Sequence, residues 1–271
     1  MSRTLASSIA LCLSSAVFAA TNPGAEHSGP VAQGTSGERP TVVLVHGAFA
    51  DSSSWNGVIS RLLKKGYPVV AVANPLRGVK TDADTVSSVL QSLEGPVVLV
   101  GHSYGGNVIT NAAVGHPNVR ALVFVSAFAP DVGESAGELS ARFPGGTLAA
   151  ALLPPVVEPN GVRDLFIQRD KFRAQFAADV PEPAATLMAV TQRPIAESAL
   201  GEPSASASWR AIPSWFVYGS KDKNIPPAAI AFMAQRAGAR KTVEIKGGSH
   251  VVMTSHPDEI ALLVEEAASA K

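Results

Sequence analysis

In the run Gly101-His102-Ser103-Tyr104-Gly105, a serine stands between glycines two residues before it and two after it. A serine presented for reaction on a sharp strand-to-helix turn needs that spacing, because the two backbones pass where Cβ atoms would collide. An apolar run from Pro96 to Val100 precedes the motif and a helix-like stretch follows it, which is the setting of a nucleophile elbow. A glycine-rich phosphate turn is the competing reading. It lacks support, because no lysine followed by serine or threonine comes after Gly106 and no G-x-G-x-x-G occurs. Ser103 is the expected nucleophile.

A serine hydroxyl attacks at neutral pH only with a base in hydrogen-bond reach and a third group holding that base in one tautomer. The chain has six histidines. His27 lies in a polar leader, His102 sits inside the motif with its side chain expected to turn elsewhere, and His116 precedes Pro117 at a helix end. His256 falls in the first turn of the last helix, and His46, ahead of the serine, is expected to support the loop after the first strand. His250 remains, in the flexible loop Lys246-Gly247-Gly248-Ser249-His250. The acid should end the preceding strand. Asp222, in Gly219-Ser220-Lys221-Asp222, fits that place, with Asp131 as its competitor. Two backbone N–H groups must also face the charge that develops on a carbonyl oxygen, and Ala48 and Tyr104 are the natural pair. Phe49 and Trp55 would either wall a substrate pocket or belong to the core.

These side chains need a scaffold that brings strand ends together. Short β-branched runs read as buried parallel strands at 41–45, 69–73, 97–100, 121–125, 214–218 and 242–245. Helical spacing recurs between them, at 54–65 ending on Gly66, at 81–93, and in a last helix with Ser255 as its expected cap and Asp258 in its first turn. Steady alternation argues an α/β fold with a mostly parallel, doubly wound sheet. It breaks over about 131–208, a proline-rich stretch whose apolar residues Leu165, Phe172 and Phe176 suggest short helices forming a cap over the strand ends.

The 271 residues, 46% of them apolar, suit one large domain, here 40–271. Lys+Arg and Asp+Glu both number 22, so no basic face argues for nucleic acid or an anionic membrane, and a small neutral substrate fits better. Residues 1–19 read as a secretory signal, with Arg3, an apolar stretch and Val17-Phe18-Ala19 before the cut; they are too short for a membrane anchor. Residues 20–39, rich in Gly, Pro, Ser and Thr, read as a flexible leader. The lone cysteine, Cys12, would leave with the signal, so a periplasmic or secreted mature chain would rest on packing rather than disulfides.

From Thr41 to the C-terminus the chain resembles the α/β-hydrolase superfamily, through HGAF, GHSYGG, GSKD and GGSH in that order. The His46-Gly47-Ala48 loop and short cap are similar to the branch that includes plant methyl-ester esterases and hydroxynitrile lyases. The resemblance implies a cofactor-free, metal-free serine esterase with Ser103, Asp222 and His250 as its triad. The lyases of that branch carry a threonine where Gly47 stands and use a lysine near the catalytic histidine; Lys246 is close, but Gly47 has no hydroxyl. Superfamily members that open epoxides or remove halides use an aspartate nucleophile, which Ser103 argues against. Lactone or amide hydrolysis and perhydrolysis are other outcomes of the same triad, and a non-catalytic small-molecule receptor is the rival of another class. Thr191-Gln192-Arg193-Pro194 resembles a cap phrase of many bacterial relatives and suggests no role by itself.

Overall fold

The computed structural model describes residues 39–270; the expected export signal and all but the last residue of the leader lie outside the described residues. The β-branched runs form the sheet. The strands are β1 (Thr41–Val45), β2 (Val69–Val72), β3 (Val97–His102), β4 (Val119–Val125), three short ones, β5 (Val156–Val157), β6 (Arg163–Leu165) and β7 (Ile195–Ala196), then β8 (Ser214–Gly219) and β9 (Lys241–Ile245). Six of these pair in the order β2-β1-β3-β4-β8-β9, all parallel, as crossover connections require. Registers such as Leu44 beside Val100 and Val100 beside Val123 stack branched side chains across the centre, where β1, β3 and β4 are almost wholly buried.

The helices are α1 (Asn56–Lys64), α2 (Val79–Gln91), α3 (Gly105–Ala112), α4 (Ala136–Ala141), α5 (Leu148–Ala151), α6 (Arg169–Phe176), α7 (Glu182–Thr191), α8 (Glu197–Gly201), α9 (Pro227–Arg236), α10 (Val252–Ser255) and α11 (Pro257–Ser269). α1 packs with α11 and α2 with α3, flanking the sheet. Gly66, just past α1, has φ of +78°, the left-handed conformation expected of a helix-ending glycine.

Three local expectations change. Ser255 closes α10 instead of capping the last helix; α11 starts on Pro257, whose fixed φ and missing N–H suit a first helical position. α2 begins two residues before Thr81, because the Glu202 carboxylate accepts from the N–H groups of Val79 (2.8 Å) and Lys80 (2.9 Å). The segment between β4 and β8 is not only helical, since β5, β6 and β7 form a small antiparallel sheet within it.

Among the described residues, four that are not glycine adopt positive φ: Phe49, Leu76, Ser103 and Ser126. Each follows the carboxyl end of one of the first four strands. Such strain is concentrated where a fold builds a site, and the carboxyl ends of parallel strands are where α/β sheets bind ligands.

Candidate active site

Ser103 links β3 to α3 with φ of +54°, and it is nearly buried at 7% exposure. The glycines around it are a steric requirement. A Cβ on Gly101 would sit 2.7 Å from the Gly105 carbonyl oxygen, one on Gly105 would sit 2.6 Å from that of Val45, and one on Gly106 would sit 2.0 Å from that of Phe128.

Asp222 and His250 come from the turns after β8 and β9, which are sewn together. Lys221 N–H donates to the Gly248 carbonyl (2.9 Å), Gly247 N–H to Ser220 Oγ (2.8 Å), and Gly219 passes so close that its Cβ would lie 2.2 Å from the Gly248 oxygen. One oxygen of Asp222, Oδ1, accepts from the N–H groups of Asn224 (2.8 Å) and Ile225 (3.0 Å). The other, Oδ2, lies 2.7 Å from His250 Nδ1, with both side chains fully buried. A carboxylate can only accept there, so Nδ1 carries the proton and Nε2 is left as an acceptor. Among the described residues, Nε2 has no hydrogen-bond partner. Asp131 lies elsewhere, in an ion pair with Arg210 whose hydrogen bond holds its carboxyl below the usual range.

His102 is not turned away as expected. It is fully buried, its ring packs 4.8 Å from that of His250, and Nε2 meets the His250 carbonyl at 3.2 Å. Burial, with His250 adding to it, keeps the His102 pKa well below its ordinary value, so the ring is neutral and Nε2–H donates. From above, Phe176 of α6 covers the pair, 5.1 Å from His250 and 6.3 Å from His102. Ser249 Oγ, beside His250, donates to Asp179 just beyond α6.

The loop after β1 is held with equal care. His46 Nδ1 is 2.9 Å from the Gly47 carbonyl, and Nε2 accepts from Asn74 N–H at 3.1 Å. A second proton would place donor against donor, and burial brings the His46 pKa down to about 4. Gly47 admits no side chain, since a Cβ would stand 2.6 Å from that of Ser103. Among the described residues, neither Ala48 nor Tyr104 N–H has a protein acceptor, whereas Phe49 N–H donates to the Arg193 carbonyl at 3.0 Å. Arg193 is itself held by its neighbour. Gln192 uses its amide like a strand backbone, accepting from Ile167 N–H (2.9 Å) and donating to the carbonyls of Ile167 (3.0 Å) and Ala189 (2.9 Å).

Ser103, Ala48 and Phe49 line a cavity of about 320 Å³ whose other walls include Phe128, Leu148, Leu152, Leu200 and Ile225. Among the described residues, no charged side chain lines it. Trp55, the other candidate wall, belongs to the core: it is fully buried, its indole packs edge-on against His102, and it does not reach the cavity. A hollow of about 470 Å³ at the opposite strand ends, lined by Pro96, Val119 and Pro213, holds no serine, threonine or cysteine among the described residues.

Residues 42–261 match the profile of the "Alpha/beta hydrolase family". The chain belongs to that family. Among curated proteins this α/β hydrolase is 28% identical to a pyrethroid hydrolase of Sphingobium wenxiniae, over 84% of this chain and 88% of that protein. It is also 26% identical to an alpha-hydroxynitrile lyase of Arabidopsis thaliana, over 80% of this chain and 93% of the relative. Among solved structures, polyneuridine aldehyde esterase superposes with a TM-score of 0.75 at 20% identity, covering 86% of this chain and all of that one, and so shares its fold.

Proposed function

We propose that this α/β hydrolase is a serine esterase that cleaves small, neutral carboxylic esters through an acyl-enzyme. The observation that carries the reading is the buried Asp222–His250 pair, which leaves Nε2 as an unpartnered acceptor in a fold that also presents Ser103 on a strained turn. In the first half-reaction Ser103 Oγ bonds to the ester carbonyl carbon while His250 Nε2 takes its proton. The N–H groups of Ala48 and Tyr104 receive the negative oxygen, and the imidazolium, held by Asp222, gives its proton to the departing alkoxide. Water then attacks the acyl carbon with the same base, and Ser103 leaves protonated. No cofactor or metal takes part in this scheme.

An uncharged, apolar cavity favours a neutral ester over an anionic one, because a carboxylate there would lose its water without gaining a cation. The pyrethroid hydrolase relative is consistent with a hydrophobic ester substrate. Lyase chemistry has less behind it: the threonine that the related lyases carry would need a Cβ on Gly47, 2.6 Å from that of Ser103.

A fluorophosphonate should add its mass to the peptide containing Ser103 and abolish hydrolysis, and Ser103→Ala should lower turnover on the order of 10⁶-fold. Full activity in Ser103→Ala, or an active enzyme that escapes the probe, would overturn the esterase reading. The N-terminal sequence further supports export to the periplasm or beyond, which the N-terminus of the mature secreted protein would test.

A further inference from the structure

Asn224 is 5% exposed and shares the cavity wall with Ser103. Its amide orientation follows from a chain of hydrogen bonds anchored on the backbone. Gln175, on α6, places one side-chain atom 3.0 Å from the Lys223 carbonyl, which can only accept, so that atom is Nε2. The same Nε2 reaches Asn224 at 2.8 Å, so the Asn224 atom that meets it is the acceptor Oδ1. Thr147 Oγ1 donates to the other end of Gln175 at 2.8 Å and completes the assignment. Asn224 Nδ2 is therefore turned away from Gln175. It has no protein acceptor among the described residues, and it is not one of the unpartnered atoms sealed inside the protein.

A donor of this kind among Phe128, Leu148, Leu152, Leu200 and Ile225 is costly unless something in the cavity accepts from it. Resting on the esterase reading, we infer that Asn224 is a specificity-determining residue whose Nδ2 donates to a second acceptor oxygen of the substrate, separate from the scissile carbonyl. The substrate class is thus narrowed to neutral esters that carry a further ketone, ether or ester oxygen. The position has a built-in reference to the chemistry, since Asn224 N–H also holds Asp222.

The test compares kcat/KM for esters of matched size. Methyl 4-oxohexanoate and methyl 5-oxohexanoate are set against methyl hexanoate for the acyl side, and 2-methoxyethyl hexanoate against butyl hexanoate for the alcohol side. At least one acceptor-bearing ester should be preferred over its partner by roughly 2- to 10-fold, the range of one neutral hydrogen bond. The preference should vanish in Asn224→Leu. Asn224→Asp retains an acceptor for Gln175 Nε2 while replacing the donor, so it separates loss of the contact from loss of folding, and there the preference should vanish or reverse. Equal kcat/KM within both series for the parent enzyme, or a preference that survives in both variants, would overturn the inference and leave the esterase reading standing. An enzyme that cleaves none of these esters and escapes the fluorophosphonate would overturn both.

Discussion

Asp222 gives one carboxylate oxygen to two backbone N–H groups and the other to His250, so its substitution by asparagine preserves the shape and removes the preference for one imidazole tautomer. Asp222→Asn should lower kcat by up to about 10⁴-fold with little change in unfolding, whereas Asp131→Asn should alter kcat little, because its partner is Arg210. Stopped turnover in the second variant and not the first would reverse the assignment. His46 allows a test by pH. Its folded value of about 4 lies below the ordinary 6.5, so between those values the unfolded chain binds more protons and stability is lost as pH falls from 6.5 towards 4. The gap corresponds to about 3 kcal/mol. His102 adds a loss of the same sign, while Asp82, raised by burial, acts in the opposite sense. The measurable quantity is thus the difference in slope: denaturant unfolding of His46→Gln should weaken less between pH 6.5 and 4 than the parent does, and parallel slopes would refute the argument. Ser103 and His250 are legible in sequence because glycine spacing and chain order constrain them. His102 is not, since the variable position of a G-x-S-x-G motif says nothing about a contact across to a residue near the C-terminus.

At the scale of elements, the central strands β1, β3 and β4 are legible because each is a short β-branched run that is almost wholly buried, and α1 because its apolar residues share a stripe ending at Gly66. Two of the departures from expectation have long-range causes. The start of α2 is set by Glu202, far along the chain, and Trp55 becomes core because His102 offers it a face. The cap phrase acquires its physical meaning only from Ile167 and Phe49: Gln192 joins two cap segments, and the next carbonyl fixes the loop that carries Ala48. Gln192→Leu removes three hydrogen bonds and leaves Ile167 N–H and C=O without that partner. It should cost about 1–3 kcal/mol and speed hydrogen exchange at the amides of Ile167 and Phe49. Unchanged exchange at Phe49 would show that the cap does not steady this loop.

At the largest scale, the described residues form a parallel sheet with its strained residues gathered beyond the carboxyl ends of the first four strands and a mixed cap inserted between β4 and β8. That alternation with one interruption can be read from the sequence. The contacts between cap and sheet cannot, because they depend on single side chains whose partners are distant in sequence, such as Arg77, which pairs with Asp164 of β6 at 2.7 Å. Phe176 and Asp179 make the most consequential of these contacts. One covers His250 and the other holds Ser249, so α6 helps to seat the histidine that we propose as the base. Small peripheral units open at lower free energy than a central sheet. Warming should therefore silence the enzyme reversibly before it melts: turnover should fall at a lower temperature than the far-ultraviolet dichroism of the sheet and return on cooling. Coincident curves would mean that cap and sheet come apart together. Separated curves would make catalytic rate a thermometer for α6 alone.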